Sequence, residues 1–377
     1  MCHVFKHFVP TKVVFGRKSL DKLPEELDFL HLKFERPAII CGTSQTTKGF
    51  AERIKNLLGR GEIFPRVKPD PTVESVKELL EEVKKFNPDL IIAVGGGSPL
   101  DSAKAVSACL KNPGNIEEFI GVPEVFKNPG VPLICIPTTA GSGSEVTPYA
   151  VLTDKKRLKK APIVSHKIFP VLAILDPELT VSMSRVLTVN TGVDALTHAI
   201  EAYISKRRTP ISAMFSEKAV ELIVKYLPRA SGNPWDMEAR ENMLLASLFG
   251  GFAIADAGAG LVHTLAHILG VIAEVPHGLA NGVFLVPVLR FYGLSIEMEI
   301  RTLGRISGLG ESVKEFLENL EAFLEELGIP KNLKYLGVEP RDVPTFSKLA
   351  MEKRHLMGNL PKIPSEREIV KIVESIL

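Results

Sequence analysis

The run Asp89–Val94, DLIIAV, is apolar at every position after the first and enters Gly95-Gly96-Gly97-Ser98-Pro99 directly. A strand with one wet face alternates polar and apolar residues. A continuous apolar run bounded by turn residues is instead a strand covered on both faces. Pro37–Gly42, PAIICG, and Val131–Ile136 have the same character, and TKVVFG (11–16) and Glu62–Phe64 read as further strands. Helical periodicity falls between them, over Phe50–Leu58, Val73–Lys85 and Leu100–Leu110, with TSQTTKG as a polar turn. Strands alternating with helices predict an α/β domain with a mostly parallel sheet. After Asp176-Pro177 the pattern changes to helices only: Val189–Ile204, Ser212–Tyr226, Met237–Ala255, Gly260–Ala273, Gly278–Phe291 and Ser312–Leu327, with more near Val343–Lys353 and Glu366–Leu377. The expected division is an α/β domain over 1–183 and an all-α domain over 184–377.

Two strand-end loops carry the nucleotide reading. Glycines at 95–97 let backbone N–H groups approach a phosphate, and the following helix adds partial positive charge. Ser98 is placed to cap that helix, Pro99 fits its first position, and Asp101 stands at cap-box spacing from Ser98. Gly95, Gly96, Gly97, Ser98 and Asp101 are therefore candidate cofactor residues, although the G-x-G-x-x-G spacing is absent and glycine clusters also make plain turns. The loop 137–145 offers the hydroxyls of Thr138, Thr139, Ser142 and Ser144 to ribose, phosphate or amide. Ligands bind at the carboxyl ends of parallel strands, where both loops lie. The end of Pro37–Gly42 has no acid for an adenosine ribose, only Thr43-Ser44-Gln45 with Lys48 nearby, which predicts NADP(H) over NAD(H). The run Lys155–Lys160 reads as a solvated loop.

The second half carries a different chemistry. Asp194 and His198 stand four apart in VNTGVDALTHAIEAY, and His263, His267 and His277 fall in GLVHTLAHILGVIAEVPHG. Residues at i and i+4 share one helical face, so Asp194 and His198 can grip one ion together. A second helix can close on that ion with His263 or His267, and His277, between Pro276 and Gly278, is expected on a loop. Three imidazoles and a carboxylate suit Fe(II) or Zn(II) better than Ca(II) or Mg(II). A lone Asp-x3-His pair is more often an ordinary helix face, and His263-Thr-Leu-Ala-His267 lacks the glutamate of a helical zinc-protease motif.

Composition narrows the partners. A net charge of +2 creates no global field for nucleic acid or membrane. MCHVFKHFVP has no apolar signal core, and the apolar run Leu244–Ala255 is too short to span a bilayer. Cys2, Cys41, Cys109 and Cys135 lack metal-type spacing and read as reduced thiols of a cytoplasmic protein. Gln45 is the only glutamine beside abundant lysine and glutamate, a balance expected of a hot-growing source.

The residues Gly95–Lys104 (GGGSPLDSAK), Pro137–Val146 (PTTAGSGSEV), Asp176-Pro177, Gly192–Glu201 (GVDALTHAIE) and Gly260–Gly282 resemble those of the iron-containing (group III) alcohol dehydrogenases, which include lactaldehyde, 1,3-propanediol and butanol dehydrogenases. The likeness covers nearly the whole chain. It implies a metal held by Asp194, His198, His263 and His277, with His267 as the additional active-site histidine that passes a proton. It implies a diphosphate loop at Gly95–Ser98 and a hydroxyl loop at Thr138, Thr139 and Ser142. Lys160 and Asp70 match positions near the cofactor in relatives. The implied reaction is hydride transfer between a primary alcohol or diol, or its aldehyde, and NAD(P), in a homo-oligomer. A polyol dehydrogenase, a dehydroquinate-synthase-like lyase, a metal-dependent hydrolase and a non-catalytic nucleotide-binding protein are the other readings. All of the metal chemistry requires the four ligand groups to lie within about 5 Å of a common point.

Overall fold

The strands of the first half follow in chain order as β1 (Lys12–Phe15), β2 (Pro37–Gly42), β3 (Glu62–Val67), β4 (Leu90–Gly95), β5 (Leu133–Pro137), β6 (Tyr149–Asp154), β7 (Lys159–Val164) and β8 (Leu172–Leu175). They are seen in a computed structural model that describes residues 4–157 and 159–377. Six of them form one sheet in the order β1-β8-β5-β4-β2-β3, every pair parallel. Alternate residues serve opposite faces. Ala38, Ile40, Ile91 and Ala93 enter one core, while Ile39, Cys41, Ile92 and Val94 enter the other. Both faces are dry, which is why DLIIAV and PAIICG carry no polar alternation. Helices α1 (Leu23–Phe29) and α2 (Gln45–Leu58) cover the second core, and α3 (Val73–Phe86), α4 (Gly97–Lys111) and the short α5 (Ile116–Phe119) cover the first.

The chain runs from β2 outward to β3 and then returns to β4 on the other side of β2. The reversal leaves a crevice outside the carboxyl ends of β2 and β4, the position where doubly wound sheets take ligands. Gly42–Ser44 and Gly95–Gly97 flank it.

Three local expectations are corrected. Helix α2 begins at Gln45, within the expected turn, because the Ser44 hydroxyl accepts from Thr47 N at 3.2 Å and caps it. Helix α4 begins at Gly97 with Gly96 as its cap residue, so Pro99 lies inside the first turn, where a missing N–H costs nothing. Residues 155–157 follow β6 at the tip of an antiparallel hairpin and Lys160 lies in its second strand: β6 pairs β7, with Ala150, Leu152, Ala161 and Ile163 buried on its inner face. The reduced-thiol reading fits the free Cys41, Cys109 and Cys135; Cys2 lies outside the described residues.

The chain divides into two compact units, Val9–Met183 and Ser184–Leu377, and the residues up to Phe8 go with the second. That second unit is helical: α6 (Arg185–Ile204), α7 (Pro210–Gly232), α8 (Met237–Ala257), α9 (Leu261–Ala273), α10 (His277–Tyr292), α11 (Glu297–Ser307), α12 (Val313–Leu327), α13 (Val343–Glu352) and α14 (Glu366–Glu374). Helix α6 is its centre, with every residue from Gly192 to Ile204 buried. The stretch His277–Ser307 is long and apolar enough to cross a bilayer by length and composition, but 61% of its window is buried inside the protein, as in a core helix.

Two breaks in the helices set the geometry around α6. Helices α8 and α9 meet at 105° across the segment that contains Gly258 and Gly260. Gly258 takes φ 73°, a left-handed value that suits glycine. His277 is the first residue of α10, not a loop residue, because Pro276 stands in extended backbone as its cap. At Gly278 the start of α10 presses on α6: a Cβ there would lie 1.8 Å from the Asn190 carbonyl oxygen. Only hydrogen fits, so Gly278→Ala must push the two helices apart. We expect a loss of about 1–3 kcal/mol, read as a lowered midpoint in urea or thermal unfolding; an unchanged midpoint would contradict the close approach.

Candidate metal centre and cofactor loops

Asp194 and His198 share one face of α6, as their spacing requires. From Asp194 Oδ1 the Nε2 atoms of His198, His263 and His277 lie at 3.7, 3.6 and 3.5 Å. Ligand atoms of Asp194, His263 and His277 fall within 4.8 Å of one another. The four groups expected to converge do so, from α6, α9 and α10. Spacing left His263 and His267 as alternatives. The structure turns His263 toward Asp194 and sets the His267 ring against that of His277, with centroids 5.0 Å apart.

Two residues of this centre carried no role in the sequence reading. Glu201, only 2% exposed, accepts from Gly260 N at 2.7 Å, Val262 N at 2.6 Å and His263 Nδ1 at 2.6 Å. Asn281, fully buried, directs its amide nitrogen to Asp194 Oδ1 at 2.8 Å and to the Nε2 atoms of His263 and His277, both at 3.3 Å. The Asn281 amide oxygen is buried and has no hydrogen-bond partner. A signal for Glu201 existed: it stands seven after Asp194 and three after His198, on the same helical face.

Burial alone would raise the Asp194 carboxyl, but the imidazoles of His198, His277 and His263 outweigh it and hold it below the ordinary carboxylate range. Burial would likewise lower His263, yet its bonds to Asp194 and Glu201 lift it to about 9. Protons and a cation therefore compete for the same nitrogens. A donor set of three imidazoles and one carboxylate, converging in a buried site with an unsatisfied amide oxygen beside it, fits a divalent transition-metal ion.

The other unit brings the two strand-end loops into contact. A Cβ on Gly96 would meet Thr139 Oγ1 at 3.2 Å, and one on Gly97 would meet Ser142 at 3.1 Å. Thr138 N donates to Gly95 O at 2.9 Å, and Gly95 takes φ 144° with Pro99 packed where a side chain would stand. Ser98 is not the cap of α4; its hydroxyl accepts from Asp70 N at 3.2 Å. The Asp70 carboxylate in turn pairs with Lys160. Asp70, Ser98 and Lys160 are thus gathered at one end of the sheet.

Asp101 departs from its expected cap-box role. Its oxygens accept from Ser144 Oγ at 2.5 Å and Val151 N at 2.9 Å, so it fastens the hydroxyl loop and the hairpin to α4. Lys104, fully buried, completes that fastening by donating to the carbonyl oxygens of Thr147 at 2.9 Å and Tyr149 at 2.8 Å. Burial pushes Asp101 up and Lys104 down, each toward its neutral form, and their mutual attraction opposes both.

Sequence models of the iron-containing alcohol dehydrogenases match residues 10–177, and those of the family's C-terminal part match 188–377. The chain belongs to the iron-containing alcohol dehydrogenase family. It is 35% identical over 383 residues to an NAD-dependent methanol dehydrogenase of Bacillus methanolicus, covering 98% of this chain and 99% of the relative. To an NADPH-dependent butanol dehydrogenase of Clostridium saccharobutylicum it is 32% identical over 385 residues, covering 98% and 97%. The crystal structure of a 1,3-propanediol oxidoreductase superposes with a TM-score of 0.91 at 32% identity, over 100% of both chains. This iron-type dehydrogenase acts on CH–OH groups, transferring hydride between a primary alcohol or diol, or the aldehyde, and NAD(P). Lyase, hydrolase and non-catalytic readings are not favoured by that membership.

The fastening under the hydroxyl loop makes a pH prediction. Burial raises Glu145 from 4.5 to about 7, against the opposing effects of its own backbone and of Lys104. A carboxyl raised on folding binds more protons folded than unfolded, so its cost grows as pH rises from 4.5 to about 7 and is fully present above. The shift corresponds to about 3 kcal/mol. Glu145→Gln should therefore gain stability relative to wild type at pH 8 but not at pH 4.5, measured by urea unfolding at both pH values. An equal difference at the two would rule out a titrating Glu145.

Proposed function

We propose that Asp194, His198, His263 and His277 hold the catalytic cation, iron(II) in the first place and zinc(II) also compatible, in an NADP-preferring dehydrogenase of short primary alcohols or diols. One observation carries the reading: three imidazole Nε2 atoms surround a single carboxylate oxygen at 3.5–3.7 Å in a buried site. When bound, the ion supplies Lewis-acid polarisation of the substrate oxygen. His267, half-buried and one turn beyond His263, is placed to take the proton of the alcohol or return it to the aldehyde. The backbone of Gly95–Gly97 with Ser98, and the hydroxyls of Thr138, Thr139 and Ser142, would receive the diphosphate and nicotinamide portions of the cofactor. Asp70 and Lys160 would flank its ribose. Asp101 serves this reading indirectly, through the loop it fastens. Residues 1–183 form the dinucleotide-binding domain and 184–377 the helical metal-binding domain in this assignment.

NADP preference rests on the loop after β2. Thr43, Ser44 and Thr47 present hydroxyls at the start of α2, whose first turn has no acid. A ribose 2′-phosphate finds donors there and no repelling carboxylate. The open edge of β1 supports a homo-oligomer, which sedimentation would read as more than one chain. Free cysteines support a cytoplasmic setting, and the single glutamine a hot-growing source.

His263→Ala should lose both bound metal and turnover, by metal analysis and an anaerobic alcohol assay. A fully active, metal-free variant would exclude the scheme. His267→Ala should keep its metal and turn over roughly 10²-fold more slowly; a wild-type rate would remove it as the proton carrier. With the metal-reconstituted enzyme, kcat/KM should favour NADP+ over NAD+ across a panel of alcohols. The opposite ratio would show that the missing acid after β2 does not decide cofactor choice.

A further inference from the structure

Glu201 contributes a full set of acceptor bonds to one small region. Its Oε1 takes the N–H of Val262 at 2.6 Å, and its Oε2 takes Gly260 N at 2.7 Å and His263 Nδ1 at 2.6 Å. All three partners belong to the first turn of α9 or the residue before it. The fit leaves no room for adjustment: a Cβ on Gly260 would lie 2.6 Å from Glu201 Oε1. A carboxylate receiving N–H donors can only accept, so the proton between it and His263 sits on Nδ1. In the neutral ring that a cation requires, Nε2 then carries the lone pair, and it is the Nε2 of His263 that stands 3.6 Å from Asp194 Oδ1.

We infer that Glu201 is a positioning residue for the cation: it fixes the tautomer and orientation of His263 so that the Nε2 lone pair faces the carboxylate of Asp194. The inference rests on the ligand reading proposed above. Glu201 and Asp194 stand on the same helix, seven residues apart, so α6 sets both ends of the His263 ring. One carboxylate takes the ring's proton, and the other shares its free nitrogen with the ion. Carboxylates in this position orient metal-binding histidines and raise their basicity.

The glutamine variant separates orientation from packing. Glu201→Gln keeps the shape but turns one acceptor oxygen into a donor. If its NH2 faces His263, Nδ1 becomes the acceptor and the proton moves to Nε2, where a ligand must have none. If its NH2 faces Val262, two donors oppose each other. Either way the affinity for zinc(II), measured by competition with a chromophoric chelator, should fall 10–100-fold, with helical circular dichroism unchanged. A second measurement uses the wild-type protein and does not depend on the variant folding. Long-range 1H–15N correlation of the zinc-loaded protein should find the His263 proton on Nδ1 and slow to exchange, its signal identified by its absence in His263→Ala. Wild-type affinity in Glu201→Gln, or a proton on Nε2 of wild-type His263, would overturn the inference and leave the ligand reading intact. A wild-type protein without zinc affinity, or His263→Ala with full affinity, would overturn the ligand reading itself and Glu201's role with it.

Discussion

A carboxylate in the middle of a buried helix is the condition on which the second unit is built. Asp194 lies on α6 among residues that are nearly all inaccessible to water. An isolated charge there would cost several kcal/mol, so it must be met by partners of opposite or polarisable character. The sequence answers with His198 one turn along, His263 on α9 and His277 on α10, and with the amide of Asn281. The partners from α9 and α10 reach it only because the helices are brought to α6 at two particular places. The close approach of α10 depends on Gly278, and the start of α9 depends on Gly260 fitting beneath Glu201. A side chain at either position would move an imidazole by more than the tolerance of a coordination shell, which is a few tenths of an ångström.

Under the proposed function, the first unit meets a different requirement with a related solution. A diphosphate needs backbone N–H groups that no side chain shields, at a helix start that carries partial positive charge. Strand β4 ends at Gly95, and α4 starts at Gly97, so the turn between them is the single residue Gly96, with a glycine on either side. The two strand-end loops approach closely at Gly96 and Thr139 and at Gly97 and Ser142, and the bond from Thr138 N to Gly95 O joins them. Behind them the polar groups of Asp101, Lys104 and Glu145 are buried, at an evident electrostatic cost. Asp101 and Lys104 offset that cost through four bonds to Ser144, Val151, Thr147 and Tyr149 that hold the loop and the hairpin in place. Polar groups buried in and behind the proposed cofactor loops thus shape them.

How much of this could be read from the residues depends on how local each feature is. The Asp194–His198 pair was legible because a helix imposes its own geometry at i and i+4. The sheet was legible because a strand buried on both faces writes itself as a continuous apolar run. The choice between His263 and His267 was not legible from spacing, since both lie on the same side of α9 and the rotation of that helix is set by its packing against α10, α13 and α6. The family resemblance, not the periodicity, separated them. Glu201 could be seen only as a residue on the right face of α6, because its partner His263 stands 62 positions away. The hairpin of β6 and β7 was hidden by the lysines at its tip, and the start of α2 by a run of polar residues that reads equally as a turn. In both cases the deciding signal was a single bond or a buried face: Ser44 capping Thr47, and Ala161 with Ile163 turned inward.

The proposed ligands come from three helices, which raises the question of why the centre is not simply placed on one. A single helix can present at most two groups to an ion, at i and i+4, and both from one side. Closing the shell requires approach from other directions, and each new helix adds a surface that must pack. Helix α6 resolves this by carrying small residues where its neighbours come closest. Gly192 admits Leu227 and Met243, and Gly250 of α8 rests near the Ala195 carbonyl. Bulk is removed at these helix contacts, while Leu196, Leu244 and Phe284 on α6, α8 and α10 are all fully buried. Rigid elements packed in this way hold side chains more accurately than loops can. It follows that the helical unit's apolar packing and its polar centre are one construction: the glycines that bring the backbones together are as much a part of the proposed ion site as the imidazoles.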